Sequence, residues 1–532
     1  MTVFARNCFQ PCLLTILCSW LLFALSGCKS ASEYRLEADR TAETIIREKQ
    51  EQLLGSSGEF SIERPSDILR RRLLLDQDLP YSSEASLGTD KMASIIHWPE
   101  KDYPKAVSSS EDIAPLEKGK PVRLSLMQAL QVGAMNNFEY QTQKEEIFRS
   151  ALSLDLNRND FDFIPEGQAR SSLTVDKSGS GSSTGTVKGV EHSGSLNLGR
   201  TLQQGTQFTA ALAVDLVKLL TQGRTSSFGI VGDASISIPL LRGSGIHIVT
   251  EPLTQAERNV MYAIYDFERF KKRIAVDIAR DYLEVLRQLD QVDNVSENYR
   301  NLTASARRTR SLADAGRTTE IEVDQAVQNE LIARSRWINT TESYKGRLDT
   351  FKKLIGLPPD ADMELDRSEL AGLTSRASEV MPDMRKTDAS NVPMGHTAPA
   401  EEKMGPLELD ETFSIELGLK NRLDLRVLEG RVYDARRSVI VQADALGAEL
   451  TLFGEAGLGQ SRSIATAGLD DARLRADRGV YTGLFTLDLP FERTAERNAY
   501  RESFIELERA ARAVQNLEDD LKLSIRARLR EM

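Results

Sequence analysis

The stretch between Pro252 and Pro358 contains no proline, and between Ile246 and Lys345 its only glycine is Gly316. Proline breaks a helix interior and glycine weakens one. A segment this long without either is committed to helix, and it is rich in Ala, Arg, Glu, Leu and Gln, all strong helix formers. Apolar residues recur at Ile278, Tyr282, Val285, Leu289, Val292, Val295, Tyr299, Leu302 and Ala306. The steps are three and four residues, close to a heptad seam. Gly316 is the natural break. Asp314-Ala315-Gly316-Arg317-Thr318-Thr319-Glu320 offers a terminating glycine, then a Thr and a Glu able to cap a new helix. The spacing predicts a helical hairpin over 253–356, with arms of about 95 and 58 Å at 1.5 Å per residue. Unequal arms cannot pack fully on each other, so the longer one needs more chain or another subunit.

Residues 166–240 differ in character. Gly, Ser and Thr become abundant and charges thin out. Ala169–Val175, Ser195–Leu202, Thr206–Leu212 and Ala234–Ile238 read as strands, divided by turn-rich stretches such as Ser178–Gly185 and Gln203-Gln204-Gly205. Alternating apolar and polar positions suit a membrane barrel, whose lipid and lumen faces alternate, and equally suit a half-buried antiparallel sheet. Ahead of this region, Leu126, Ala129, Leu130, Gly133, Ala134 and Phe138 mark one face of a helix expected to run to about Leu156.

The four cysteines, Cys8, Cys12, Cys18 and Cys28, all fall in the first 28 residues. A disulfide framework or a Cys-based zinc site in the remaining chain is excluded. The four histidines are scattered, so no metal site is expected. Arg6, an apolar run from Leu13 to Leu25 and then Leu25-Ser26-Gly27-Cys28 look like a bacterial lipoprotein signal over 1–27. Cys28 is then the lipidated first residue of the mature chain. Lys29 stands next, where Asp would favour the inner membrane. From 28 to 120 the chain is polar and proline-punctuated, an expected arm over the main body, with Glu33 to Leu54 a helix charged over most of its surface. The net charge of −11 argues against nucleic-acid partners, which need clustered Lys and Arg.

The pattern then repeats. Ala256-Glu257-Arg258-Asn259 recurs as Ala495-Glu496-Arg497-Asn498, each preceded by a strand ending in proline, at Pro239 and Pro490. Asn136-Asn137-Phe138-Glu139-Tyr140 has a counterpart in Asn421-Arg422-Leu423-Asp424-Leu425. Two copies of one unit are expected, 121–360 and 407–532, joined by a linker over 361–406. The second has strands within 449–489 and the start of a long helix, but no counterpart of the Gly316 turn, so it reads as incomplete.

Ser311-Leu312-Ala313-Asp314-Ala315-Gly316, then Glu320-Ile321-Glu322-Val323-Asp324-Gln325-Ala326, then Leu354-Ile355-Gly356-Leu357-Pro358 resemble the TolC-like outer-membrane efflux family. Ile238-Pro239-Leu240-Leu241-Arg242-Gly243, between strand and long helix, is similar as well. The resemblance covers about 121–532. It implies a mainly α fold of long antiparallel coiled-coil helices with a β-barrel portion. It also implies a homotrimer in which each subunit gives four strands to a shared 12-stranded barrel and long helices to a periplasmic tunnel. Gly316, Arg317, Thr318 and Thr319 would form the tip that docks on a periplasmic adaptor protein, itself bound to an inner-membrane pump. The function implied is a passive export conduit of an efflux pump or type I secretion system. The location implied is the outer membrane, lipid-anchored and reaching into the periplasm. The first copy offers more strand candidates than two, which would leave an extra hairpin around 193–217 outside the barrel.

The alternative is a non-conducting structural lipoprotein of the envelope, or a degenerate or truncated efflux homologue, motivated by the short second copy. Enzymatic function is not expected: adjacent carboxylates such as Glu145–Glu146 and Asp519–Asp520 do not face each other on a helix. No phosphate loop or nucleophile elbow occurs, and neither a cofactor nor a catalytic residue is assigned.

Overall fold

The computed structural model describes residues 29–55, 121–176, 187–220, 226–368, 410–463, 469–489 and 491–531, with short pieces between 60 and 100 and around 372 and 466. The chain divides into two compact units. The first comprises Met1–Phe148 and Phe267–Glu408, and the second Arg149–Asp266 and Leu409–Met532.

In the first unit, helix α1 (Ala31–Leu54) starts at a capping box, in which Ser30 and Glu33 satisfy each other's backbone N–H groups, and stops at Gly55 in the left-handed region. It is less uniformly solvated than its charges suggest, because Ala42, Ile45 and Ile46 make a buried stripe. Then come α2 (Leu69–Asp76), strand β1 (Val122–Leu124), α3 (Leu126–Asn136) and the first part of α4 (Phe138–Asn159). The single helix expected from Leu126 to about Leu156 is in fact two. Asn137 is extended at φ −65°, ψ 126°. Its Oδ1 accepts the Tyr140 N–H at 2.7 Å, which caps the second helix.

The hairpin forms as the apolar seam dictates. Helix α5 (Glu251–Asp314) has 64 residues and α6 (Glu320–Leu354) has 35. Their shared seam, within the first unit, holds Tyr282 edge-on to Phe351 at 5.9 Å and Tyr299 stacked on Trp337 at 5.7 Å. The longer arm finds more chain. Beyond the reach of α6, Phe267 and Phe270 pack on Tyr140 of α4.

The core of this unit closes around a parallel pair, β1 with β6 (Met363–Leu365), in which Leu124 opposes Leu365. Strand β6 lies inside the stretch expected to be linker, because Met363 and Leu365 alternate with Glu364 and are buried. Gly356 ends the hairpin at φ 80°, and the N–H of Leu357 reaches back to the Lys352 carbonyl at 2.8 Å. The buried Tyr282 hydroxyl donates to the carbonyls of Leu124 and Asp366, at 3.1 and 3.2 Å.

Among the described residues the second unit holds one antiparallel sheet of six strands in the order β2-β3-β4-β5-β7-β8. They are β2 (Ile164–Asp176), β3 (Val187–Thr201), β4 (Gln207–Leu219), β5 (Ser227–Pro239), β7 (Glu449–Gln460) and β8 (Val480–Asp488). The strands are longer than the sequence windows suggest. The hairpin around 193–217 lies in the sheet, paired on both sides, rather than beside it. The sheet holds six strands, where the resemblance implies four barrel strands from each subunit. Helices α7 (Glu411–Asn421), α8 (Leu423–Asp444) and α9 (Thr494–Glu531) complete this unit, with the end of α4 and the start of α5. An 11-residue helix, a one-residue break, a 22-residue helix and a strand therefore occur in that order twice, as α3-α4-β2 and as α7-α8-β7.

Candidate functional site

The sheet has two chemically opposite faces, and the ladder assigns every residue to one of them. On one side of the central strands Phe208 faces Ile236, Ala210 faces Ala234, and Val214 faces Ile230. The same side continues through Leu196 and Leu198 of β3, Leu450 and Leu452 of β7, and Phe485 and Leu487 of β8. Its lysines and arginine sit only at the strand ends: Lys188 and Lys218 at one end, Arg200 at the other. The opposite side carries Glu166, Asp176, Glu191, Asp215, Asp233, Glu449, Glu455 and Asp488 against the single base Arg170. Thr209 and Ser235 bond to each other there at 2.6 Å. Phe453 and Leu484, paired with each other at mid-strand, break this pattern, as do Val231 and, toward the strand ends, Ile164, Val187, Val217, Leu219 and Val480.

A half-buried soluble sheet covers its apolar face. This one does not: Leu173 is 67 % exposed, Leu212 41 % and Phe485 68 %. Each strand has between 9 and 15 residues, enough to cross a hydrocarbon layer when tilted, which takes roughly 9–11. The sheet is open, with β2 and β8 at its edges. At the end where the chain passes into helices, Phe163, Leu240, Leu241, Leu489 and Phe491 are exposed, Phe491 almost completely. Among the described residues no helix is long and apolar enough to cross a membrane.

Below the sheet, in the same unit, α5 and α8 are locked by ions. Arg258 contacts Asp434 at 2.5 Å, and the Tyr262 hydroxyl donates to Asp434 at 2.7 Å. Arg437 reaches Asp434 at 3.1 Å and Glu251 at 2.9 Å. Gly430 permits this approach, since a Cβ there would stand 2.5 Å from the Tyr262 hydroxyl oxygen. The sequence marked Arg258 only as part of a repeated tetrapeptide; its partner Asp434 carried no signal. Burial, then the bond to Asp434, push Tyr262 up to about 12, against the opposing bond from Arg258. An unfolded tyrosine titrates near 10.0. The stability linked to the Tyr262 proton, set first by burial and then by this bond, is therefore complete below about pH 10 and is lost as pH rises toward 12. Tyr262→Phe is expected to blunt that alkaline loss in thermal melts while lowering stability at neutral pH.

The Gly316 turn is built as the residues predict. Gly316 has φ 67°, its N–H bonds to the Ala313 carbonyl at 2.8 Å, and the Arg317 N–H reaches Leu312 at 2.8 Å. This is a Schellman stop. Thr319 caps α6 by accepting from the Glu322 N–H at 3.4 Å, and Thr318 donates to the Glu322 carboxylate. Gly316, Arg317 and Thr319 are exposed, Thr318 partly so. Cys28 lies outside the described residues.

Compared by sequence, the chain matches no protein-family model and no curated protein. Among solved structures it is similar to the outer membrane protein VceC from Vibrio cholerae, at 10 % identity and a TM-score of 0.46, over 74 % of this chain and 75 % of that one. It is similar to the Campylobacter jejuni CmeC outer membrane channel, at 12 % identity and a TM-score of 0.45, over 78 % and 75 %. The Neisseria gonorrhoeae MtrE outer membrane channel in its open state is similar at 12 % identity and a TM-score of 0.45, over 76 % and 73 %.

Proposed function

We propose that this chain is one subunit of a TolC-like outer-membrane export channel, a passive conduit without catalytic chemistry. The observation that carries the reading is the uncovered two-faced sheet. Its strands are long enough to span, apolar on one side and acidic on the other, with lysine and arginine on the apolar side only at the ends. Backbone in lipid must be fully paired, so open edges at β2 and β8 require closure by further copies. A homotrimer meets that need. Leu331, Ile332 and Ile338, exposed on α6, give such copies apolar side chains to share.

The short β3–β4 turn lies at the helical end of the sheet. At the other end the strands stop at Asp176, Leu219 and Gln460 and resume at Val187, Ser227 and Val480, over longer stretches of sequence. That asymmetry supports helices in the periplasm and loops outside. In this reading the turn at Gly316, Arg317, Thr318 and Thr319 docks on a periplasmic adaptor serving an inner-membrane pump. Cys28 carries the lipid that anchors the chain. Cys28→Ser is expected to abolish incorporation of labelled palmitate while leaving the folded protein intact.

Purified protein added to planar bilayers should open stepwise conductances. They should favour cations, because the polar face holds eight carboxylates and one arginine. A folded, membrane-inserted protein that never conducts would overturn the channel; an anion-selective pore would overturn the assignment of the acidic face to the lumen.

A further inference from the structure

We propose that the β3–β4 hairpin is part of the membrane wall, so that each subunit supplies six strands and three copies close an eighteen-stranded barrel. This rests on the trimeric channel reading above and departs from the four strands per subunit that the family resemblance implies.

The hairpin is continuous with the wall on both sides. Strand β2 pairs with β3 from Ile164–Gly199 to Asp176–Val187, and β4 pairs with β5 from Gln207–Ser237 to Val217–Ser227. Its facial chemistry is that of its neighbours. Leu196 opposes Leu212 and Leu198 opposes Ala210 on the apolar side, while Ser195 opposes Ala213 and Asn197 opposes Ala211 on the other. An appended hairpin lying in water has no reason to expose Leu196 and Leu212, each above 40 %. Nor has it reason to keep Lys188, Lys218 and Arg200 at its extremities.

Closure is also consistent. The chain leaves the helical end along β2 and returns to it along β8, so β8 of one copy meets β2 of the next in antiparallel sense. This is a head-to-tail contact that closes by rotation. At equal tilt, barrel diameter grows roughly in proportion to strand number, so the lumen is about 1.5 times as wide as that of a twelve-stranded wall. The membrane segment then sets no narrow filter, and bulky solutes or an unfolded polypeptide pass it freely.

The test uses the full-length chain reconstituted in phospholipid vesicles, with single cysteines carrying a fluorophore. The control positions are Ile236→Cys and Leu452→Cys on the apolar side of β5 and β7. The test positions are Leu196→Cys and Leu212→Cys, paired with Thr209→Cys on the polar side. If the hairpin is wall, brominated lipid quenches positions 196 and 212 as strongly as 236 and 452. A water-soluble thiol reagent then reaches 209 at least ~tenfold faster than 212, as lipid and lumen faces demand. Quenching at 236 and 452 with free aqueous labelling at 196 and 212 overturns the six-stranded wall and leaves the channel reading standing. No quenching at any position overturns the channel reading beneath it. Native mass of the detergent-extracted assembly should give three copies; any other number overturns the eighteen-strand count.

Discussion

If the apolar side of the sheet faces lipid as proposed, Ala234→Arg should weaken membrane insertion strongly, whereas Ser235→Arg, one residue along the same strand, should be tolerated. Ala234 sits near the middle of β5 on the apolar side, opposite Ala210 on one neighbour and Ala456 on the other. A cation at the centre of a lipid-facing barrel surface costs about 2–4 kcal/mol. That corresponds to roughly thirty- to a thousandfold in the insertion equilibrium. Ser235 points to the acidic side, where its hydroxyl meets Thr209. Losing that one bond costs about 0.5–1.5 kcal/mol, and the new guanidinium gains Asp233 and Glu455 as neighbours on the same face. Urea-induced release from vesicles, followed for both variants, checks the pair. Equal effects would mean the two faces do not see different solvents.

Gly356→Ala should be the most damaging small substitution in the first unit. At φ 80° a side chain is strained, and the added Cβ would stand 2.0 Å from the Asn136 carbonyl oxygen and 2.3 Å from its carbon. Those are backbone atoms at the joint between α3 and α4, which cannot swing aside as a flexible side chain would. Left-handed strain of about 1–2 kcal/mol adds to overpacking of about 1–3 kcal/mol. Gly316→Ala shares the strain, with φ 67°, but its Cβ would meet nothing within 4 Å. Its cost should stay near 1–2 kcal/mol. Chemical denaturation of both variants reads the difference directly, and indistinguishable midpoints would contradict the close approach at Asn136.

The contrast between those glycines shows what the sequence could convey. Both stood out in helix-ending motifs, and both end helices; only the fold reveals that one lies in open space and the other against a backbone. The helical seam was legible because Ile278, Tyr282 and Val285 repeat a local period that burial then enforces. The strands were legible in place but not in extent. The window Ser195–Leu202 caught only the second half of β3, whose ladder also runs through Gly189 and Gly194. The break at Asn137 was missed because its cause is one capping oxygen, not a change of hydrophobic period. The Arg258–Asp434 pair needed two distant helices to meet. The turn at Gly316 was legible because turn chemistry is local, whereas nothing local told which face of the sheet would stay uncovered.

The parallel pair β1–β6 joins positions 241 residues apart, as the Arg123–Glu364 contact across it records. Closing so long a loop costs about 5 kcal/mol in chain entropy. A pairing of three residues per strand cannot repay that alone, so it must wait for the hairpin to bring its ends together. Within the first unit assembly therefore has an order: the helical hairpin folds back first, and the β1–β6 pair is fastened after it. Until then Leu124, Tyr282 and Leu365, all buried in the folded unit, stay uncovered.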